Sequence, residues 1–290
     1  MKPLLAADCE GDVTLIKYPC YASPKIDGFR ALKAANMLAT RSFKPVKNKH
    51  AQELFKDLED GFDGELVDGS PTDDPFNRTQ SSCTTVAGAP NLHYYVFDFF
   101  GPECYGYEDR YALLKRKVAA CKNKRVHLVP HKLCKNAKEL LAFEEWCLAQ
   151  GYEGVMVRRP DGQYKEGRST LKEGILIKVK RFSDDEATPI DFEEMMHNTN
   201  EAKVNELGYK ERSTKKAGMV GKGTLGAIVA KVLTGKFKGK IVRVGTGFND
   251  KQRAEIWLER PTKVFTFKHF IGGTANAPRF PVFKGWRTEK

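Results

Sequence analysis

The sequence predicts an α+β domain followed by a small all-β barrel or sandwich. Three observations carry this reading. Strand-like and helix-like runs interleave from Tyr18 to about Phe182 without strict βαβ regularity, composition changes after Lys180-Arg181-Phe182, and short β-rich runs separated by glycine-rich turns follow. A chain of 290 residues has room for two separate cores.

In the first part, residues 64–67, 93–100, 154–158 and 175–180 read as strands by their β-branched and aromatic content. Residues 49–58, 108–122 and 137–149 read as helices, the last with a partly apolar face that includes Leu140, Leu141, Phe143, Trp146 and Leu148. The acidic run Ser183-Asp184-Asp185-Glu186 reads as a hinge, which places the domains at 1–182 and 183–290. Beyond it, residues 190–207 are charged and read as helical in part, overlapping a charged insertion around 192–216. Residues 224–233, 239–245 and 264–270 read as strands, with 250–258 as the helical interlude.

Charge narrows the class of partner. A net charge of +12 points to a polyanion, and residues 210–243 concentrate ten Lys or Arg against a single acid, Glu211. A solvated lysine-rich surface explains such a run. So does an electrostatic track for a nucleic-acid backbone, which Gly218, Gly221 and Gly223 would let the chain follow closely. The seven cysteines include no C-x-x-C pair, so neither a zinc ribbon nor a disulfide framework is indicated. His127, His131 and Cys134 lie close in sequence but lack a fourth ligand at suitable spacing. The N-terminal apolar run is too short for a signal peptide, and no apolar segment approaches the roughly 20 residues that span a bilayer. These features lead to the expectation of a cytoplasmic protein, away from membranes.

The chemistry concentrates in Lys25-Ile26-Asp27-Gly28-Phe29-Arg30. A lysine amine is a strong nucleophile when neutral, and nearby cations or metal ions push its pKa down. Gly28 would let the backbone approach a phosphate closely, and Arg30 offers a fork of donors for phosphate oxygens. Five further segments follow in order. Arg41 stands in a turn after a strand-like run, Glu65 in Asp63-Gly64-Glu65, and Phe97 before Asp98 in an aromatic strand. Glu153 opens Glu153-Gly154-Val155-Met156-Val157-Arg158, and Lys178 and Lys180 alternate along a strand. Strand periodicity puts both lysines on one face, with Ile177 and Val179 turned into packing. Taken singly, Glu65 reads equally as a surface carboxylate, Phe97 as a core aromatic, the lysines as a solvated face and Glu153 as a structural partner of an arginine.

Together, K-x-D-G-x-R, the arginine turn, D-G-E, the aromatic-Asp strand, E-G-x-M-x-R and K-x-K resemble the covalent nucleotidyltransferase superfamily. Within it the chain is similar to the short ATP-dependent DNA ligases of bacteriophages and bacteria. Arg158-Arg159-Pro160-Asp161-Gly162, Tyr164, Gly167-Arg168-Ser169, Arg243-Val244-Gly245-Thr246-Gly247-Phe248 and Pro278-Arg279-Phe280-Pro281-Val282-Phe283 extend the likeness. The resemblance implies an adenylation domain followed by an OB-fold domain that closes over ATP and then turns toward DNA. It implies a monomer that seals nicked double-stranded DNA with ATP and Mg²⁺, in replication, repair or recombination.

Residue by residue, the resemblance makes Lys25 the nucleophile that takes AMP. Lys178 and Lys180 neutralise the α-phosphate, and Glu153 holds Mg²⁺ with Asp27 and Glu65 as further candidates. Phe97 stacks on adenine, Glu65 binds the ribose or assists the metal, and Arg30 and Arg41 contact ribose, phosphate or the nicked strand. Arg279 with Lys284 or Arg287 meets the leaving pyrophosphate. The chain departs from the family at Gly285, where a basic residue is usual, and at Arg158, where lysine is common. Two other readings share some of these features: an RNA ligase or GTP-using capping enzyme, and a non-catalytic OB-type binding protein.

Overall fold

The structure is a computed structural model that describes residues 2–101, 106–204, 210–213, 215–270 and 277–287, without the side chains of 203, 204, 210 and 211. Cys104 and residues 205–209 of the charged insertion lie outside the described residues. The chain divides into two compact units, Met1–Arg181 and Phe182–Lys290.

The first unit carries twelve described strands. In chain order they are β1 (Leu4–Leu5), β2 (Ala7–Asp8), β3 (Cys20–Pro24), β4 (Phe29–Ala34), β5 (Met37–Thr40), β6 (Phe62–Asp68), β7 (Leu92–Phe99), β8 (Val126–Leu128), β9 (Lys132–Cys134), β10 (Val155–Arg158), β11 (Gly167–Arg168) and β12 (Leu176–Val179). Its described α-helices are α1 (Lys49–Leu54), α2 (Phe76–Thr84), α3 (Tyr107–Ala120) and α4 (Ala137–Ala149). Two five-stranded sheets result, ordered β2-β12-β10-β3-β9 and β5-β4-β6-β7-β8, with β1 pairing β11 beside them.

Each sheet buries one face against helices. Leu66, Tyr94, Val96 and Phe99 of the second sheet pack with Ala51 of α1, Cys83 of α2 and Tyr107, Tyr111 and Leu114 of α3. Ala22, Val155, Val157, Ile177 and Val179 of the first sheet pack with Leu140 and Cys147 of α4. Period-two burial along strands and i, i+7 burial along α4 are the geometric origin of both cores. Asn136 caps α4, its side chain accepting from the Glu139 N–H, and Asn48 does the same for α1 through the Ala51 N–H. Helix α1 is shorter than the sequence suggests, ending at Leu54.

The second unit holds β13 (Phe182–Asn198), β14 (Ala202–Val204), β15 (Lys210–Arg212), β16 (Met219–Val232), β17 (Ile241–Val244), the helix α5 (Asp250–Glu259), β18 (Phe265–Phe270) and β19 (Arg279–Trp286). One antiparallel sheet runs β17-β16-β13-β18-β19, and β14 pairs β15 separately. Leu225, Val244, Phe265, Phe267 and Phe283 form its core, with Ile256 of α5 packed against them.

Three expectations for this unit change. The acidic run 183–186 lies within strand β13, because its carboxylates meet polar and basic side chains on or beside β18 and β19. Asp184 pairs Lys284 at 2.7 Å, Asp185 pairs His269 at 2.8 Å, and Glu186 pairs Arg287 at 2.8 Å. Residues 190–198 continue the same strand and are not helical; Glu193 pairs Arg243 at 2.6 Å on β17. The sheet also does not close by full strand pairing. Its two edges meet at one parallel bridge between Thr246 and Val282, beside the Phe283 N–H that donates to the Thr246 carbonyl at 2.9 Å.

Candidate active site

Lys25 leaves the end of β3 and is fixed by backbone before its side chain acts. Its N–H donates to the Gly154 carbonyl at 2.8 Å, and its carbonyl accepts from the Glu153 N–H at 3.1 Å. This two-way bond brings Glu153 beside Lys25 across 128 residues of sequence, and the Lys25 Nζ and Glu153 Oε2 are in direct contact. Glu153 Oε1 takes Lys180 Nζ at 2.5 Å, so one buried carboxylate holds two ammonium groups. Gly154 is required here: at φ +146, an added Cβ would stand 2.6 Å from the Val179 carbonyl oxygen of β12.

These charges fix the protonation states. Burial pulls the Lys25 amine down, but the Glu153 carboxylate, with Glu65 and Asp27, outweighs it and leaves the pKa above the ordinary lysine value. The expected depression by neighbouring cations is therefore absent from this state, because carboxylates surround the amine. Burial lowers Lys180, against the pull of Glu153. Burial raises Glu153, yet Lys25 and Lys180 hold its carboxyl below the usual range. Burial dominates at Glu65, pushing its carboxyl up to about 8 despite Lys25 and Arg30.

A cavity of about 290 Å³ opens over Lys25, lined among others by Arg30, Arg41, Glu65, Phe97, Arg158, Arg168 and Lys178. Its walls come from both sheets of the first unit. Arg30 and Glu65 are direct partners in the β4–β6 ladder. Asp63 receives Arg30 through two bonds at 2.8 and 2.6 Å, and the Tyr164 hydroxyl donates to the same carboxylate at 2.7 Å. Phe97 packs with Ile26, Val67 and Val129, and the guanidiniums of Arg30 and Arg158 lie 5.2 and 5.0 Å from its ring centre. Arg41 is exposed in the turn closed by the Phe43 N–H and Thr40 carbonyl at 2.8 Å. Gly28 has a further role beyond that expected of it: a Cβ there would lie 2.2 Å from the Leu66 carbonyl oxygen, so β6 can approach only a glycine.

Lys25, Arg30, Arg41, Glu65, Phe97 and Lys178 thus line one cavity, with Glu153 and Lys180 joined to Lys25 and the charge of Asp27 acting on both Lys25 and Glu65. Lys178 and Lys180 take different partners, Lys178 pairing Asp8 at 3.0 Å. Arg279 opens β19 of the second unit, where Lys284 and Arg287 pair with acids of β13. Sequence reasoning missed Asp63 as the anchor of Arg30, although an acid two residues before Glu65 on the same strand was a usable signal. It also left Arg158 and Arg168 out of the site.

Among the described residues no group of three or more His, Cys, Asp or Glu side chains is arranged to hold a metal ion. The donor set nevertheless suits Mg²⁺, which takes few carboxylates and completes its shell with phosphate oxygens and water. Glu153 already serves as a cation site in its contacts with two ammonium groups.

A pre-positioned lysine among carboxylates and cavity-lining cations, on an α+β unit joined to a small antiparallel sheet, has the form of a covalent nucleotidyltransferase. Residues 3–180 match the family model described as ATP dependent DNA ligase domain, and residues 218–287 that of the DNA ligase OB-like domain. The chain belongs to the ATP-dependent DNA ligase family. The solved structure of Chlorella virus DNA ligase-adenylate is 33% identical, with 99% of each chain covered and a TM-score of 0.57. A Lig E DNA ligase is similar in fold, at 23% identity over 99% of this chain and 100% of that one, with a TM-score of 0.72. A DNA ligase of African swine fever virus (isolate Tick/Malawi/Lil 20-1/1983) is 28% identical over 142 residues, which are 48% of this chain and 33% of the viral protein. The match therefore reaches only about a third of the length of that curated relative.

Proposed function

We propose that this protein is an ATP-dependent DNA ligase that seals nicks between a 5′-phosphate and a 3′-hydroxyl in duplex DNA. The observation that carries this reading is the Lys25–Glu153–Lys180 cluster beneath a cavity lined by Arg30, Glu65, Phe97 and Lys178. In this reading Lys25 Nζ attacks the α-phosphorus of ATP and forms a P–N bond. The bond to the bridging oxygen breaks, and pyrophosphate leaves with its electron pair. The adenylate then passes to the 5′-phosphate at the nick, and the 3′-hydroxyl displaces AMP.

The residues divide this work. Phe97 supplies a face for adenine and Glu65, near the ribose, a carboxyl that burial pushes up to about 8. Arg30, held by Asp63, presents its charge from a fixed position, and Lys178 adds an ammonium for phosphate oxygens. Glu153, with Asp27 and Glu65 near, would hold Mg²⁺, an ion that neutralises phosphate charge when bound. Once Glu153 no longer serves as counter-ion to Lys25, burial and the charge of Lys180 both favour the neutral amine.

We assign residues 1–182 to adenylation and 183–290 to an OB-fold module, with Arg279 and either Lys284 or Arg287 as pyrophosphate contacts and the basic run 210–243 as a DNA track. The protein would act as a monomer. Among the described residues no helix is long and apolar enough to cross a membrane. The test is a chase of ATP-labelled protein with nicked duplex DNA. Release of AMP with sealing supports the reading, and release with RNA ends alone would move the substrate to RNA.

A further inference from the structure

Three cations of the cavity share one support, the N-terminal segment running from β1 to β2. The Leu4 carbonyl accepts from Arg30 Nη2 at 3.0 Å, and the Ala6 carbonyl from Arg168 Nη1 at 2.6 Å. The Asp8 carboxylate stands 3.0 Å from Lys178 Nζ. Positions 4, 6 and 8 alternate along an extended segment, so the two carbonyls and the carboxylate meet the cavity cations in succession.

Asp8 is the member of this series that acts through its side chain, and its geometry is fixed from both ends. It lies directly opposite Lys178 in the parallel β2–β12 pairing, which sends both side chains from the same face. Its Oδ1 accepts the Glu10 N–H at 2.9 Å, in a turn where Glu10 and Gly11 adopt φ of 51 and 87. Oδ2 is thereby left for Lys178. Lys180, two residues on, is served by Glu153 instead. Lys178 lines the cavity on a long, flexible stem, and Asp8 is the acid that pairs with its ammonium group.

We propose that Asp8 is a positioning residue that holds Lys178 for the adenylation step; this rests on the reading of the cavity as an ATP site. The pair is half-exposed, so it contributes little to stability, and its effect falls on where the ammonium stands. Lys178 meets charge that grows on the phosphates as pyrophosphate departs, and a misplaced ammonium slows that step. Removing Asp8 also removes an anion that competes with ATP for Lys178, so ATP binding does not weaken.

The experiment is single-turnover self-adenylation of the full chain with α-labelled ATP and Mg²⁺, with thermal melting as the control for folding. It compares wild type, Asp8→Ala, Asp8→Glu, Lys178→Ala and the Asp8→Ala/Lys178→Ala double variant. The expected result is a rate at saturating ATP about five-fold lower for Asp8→Ala, no rise in the ATP concentration at half-maximal rate, recovery in Asp8→Glu, and no further loss in the double variant beyond Lys178→Ala. An Asp8→Ala rate equal to wild type, or the same loss in both backgrounds, overturns the role of Asp8 while leaving the ligase reading intact. A wild type that takes no label overturns both.

Discussion

Replacing Asp98 with alanine should destabilise the first unit by about 3–5 kcal/mol, the cost of leaving buried charges without their partner. Asp98 receives Arg110 through two bonds at 2.8 and 3.3 Å, and Arg158 Nε lies 3.7 Å away. All three side chains are at most 3% exposed. Arg110 also donates to the Gly162 carbonyl at 2.8 Å, so the carboxylate ties α3 and β7 to the loop after β10. Losing it strands two guanidiniums in the interior, and one of them, Arg158, lines the cavity beside Phe97. Urea unfolding measures the loss, with Trp146 as reporter of the first unit in a Trp257→Phe, Trp286→Phe background. A companion variant that adds Arg110→Met and Arg158→Met to Asp98→Leu should recover much of the stability, since apolar packing replaces a buried ionic group at little net cost. A loss below about 1 kcal/mol for Asp98→Ala would refute the reasoning, because the guanidiniums would then have found water or other partners.

Gly28→Ala, whose Cβ would meet the Leu66 carbonyl oxygen at 2.2 Å, should destabilise the first unit by about 2 kcal/mol or more and lower self-adenylation; wild-type melting and labelling would contradict this. The Glu65 carboxyl is raised from 4.5 to about 8, so the unfolded chain releases this proton first and stability falls as pH rises between those values. Glu65→Gln lacks that loss, so its melting temperature relative to wild type should climb from pH 5 to pH 8 and then level off; a difference independent of pH would count against the buried, protonated state. Neutralising the exposed Lys215, Lys216 and Lys222 should weaken DNA binding and reduce the slope of log affinity against log salt by about 2–3, with self-adenylation unchanged. An unaltered slope would remove this segment from the DNA track.

Local signals made most of the fold legible. The helix at 137–149 and the strands around 62–68, 92–99 and 155–158 follow from periodicity and residue type, which depend on near neighbours. The acidic run 183–186 was misread because its meaning lies 84 to 101 residues away, in His269, Lys284 and Arg287. Without those partners an acidic, polar stretch looks like a linker; with them it is a strand between two others. The site divides in the same way. Lys25, Glu153, Lys178 and Lys180 stand out as charged residues among apolar ones, and motif order groups them. The anchors Asp63 and Asp8 do not, because each is an ordinary acid until strand register sets it against Arg30 or Lys178. The protonation of Lys25 was also beyond reach, since it depends on how many carboxylates the fold gathers around one amine.

The most direct measurement of the central claim is peptide mapping of the protein after incubation with α-labelled ATP and Mg²⁺, beside Lys25→Ala treated identically. The account predicts AMP on the peptide that contains Lys25, bonded through nitrogen, with no label on the variant and loss of the label as nicked DNA is sealed. Label on another residue, or equal labelling of Lys25→Ala, would contradict it.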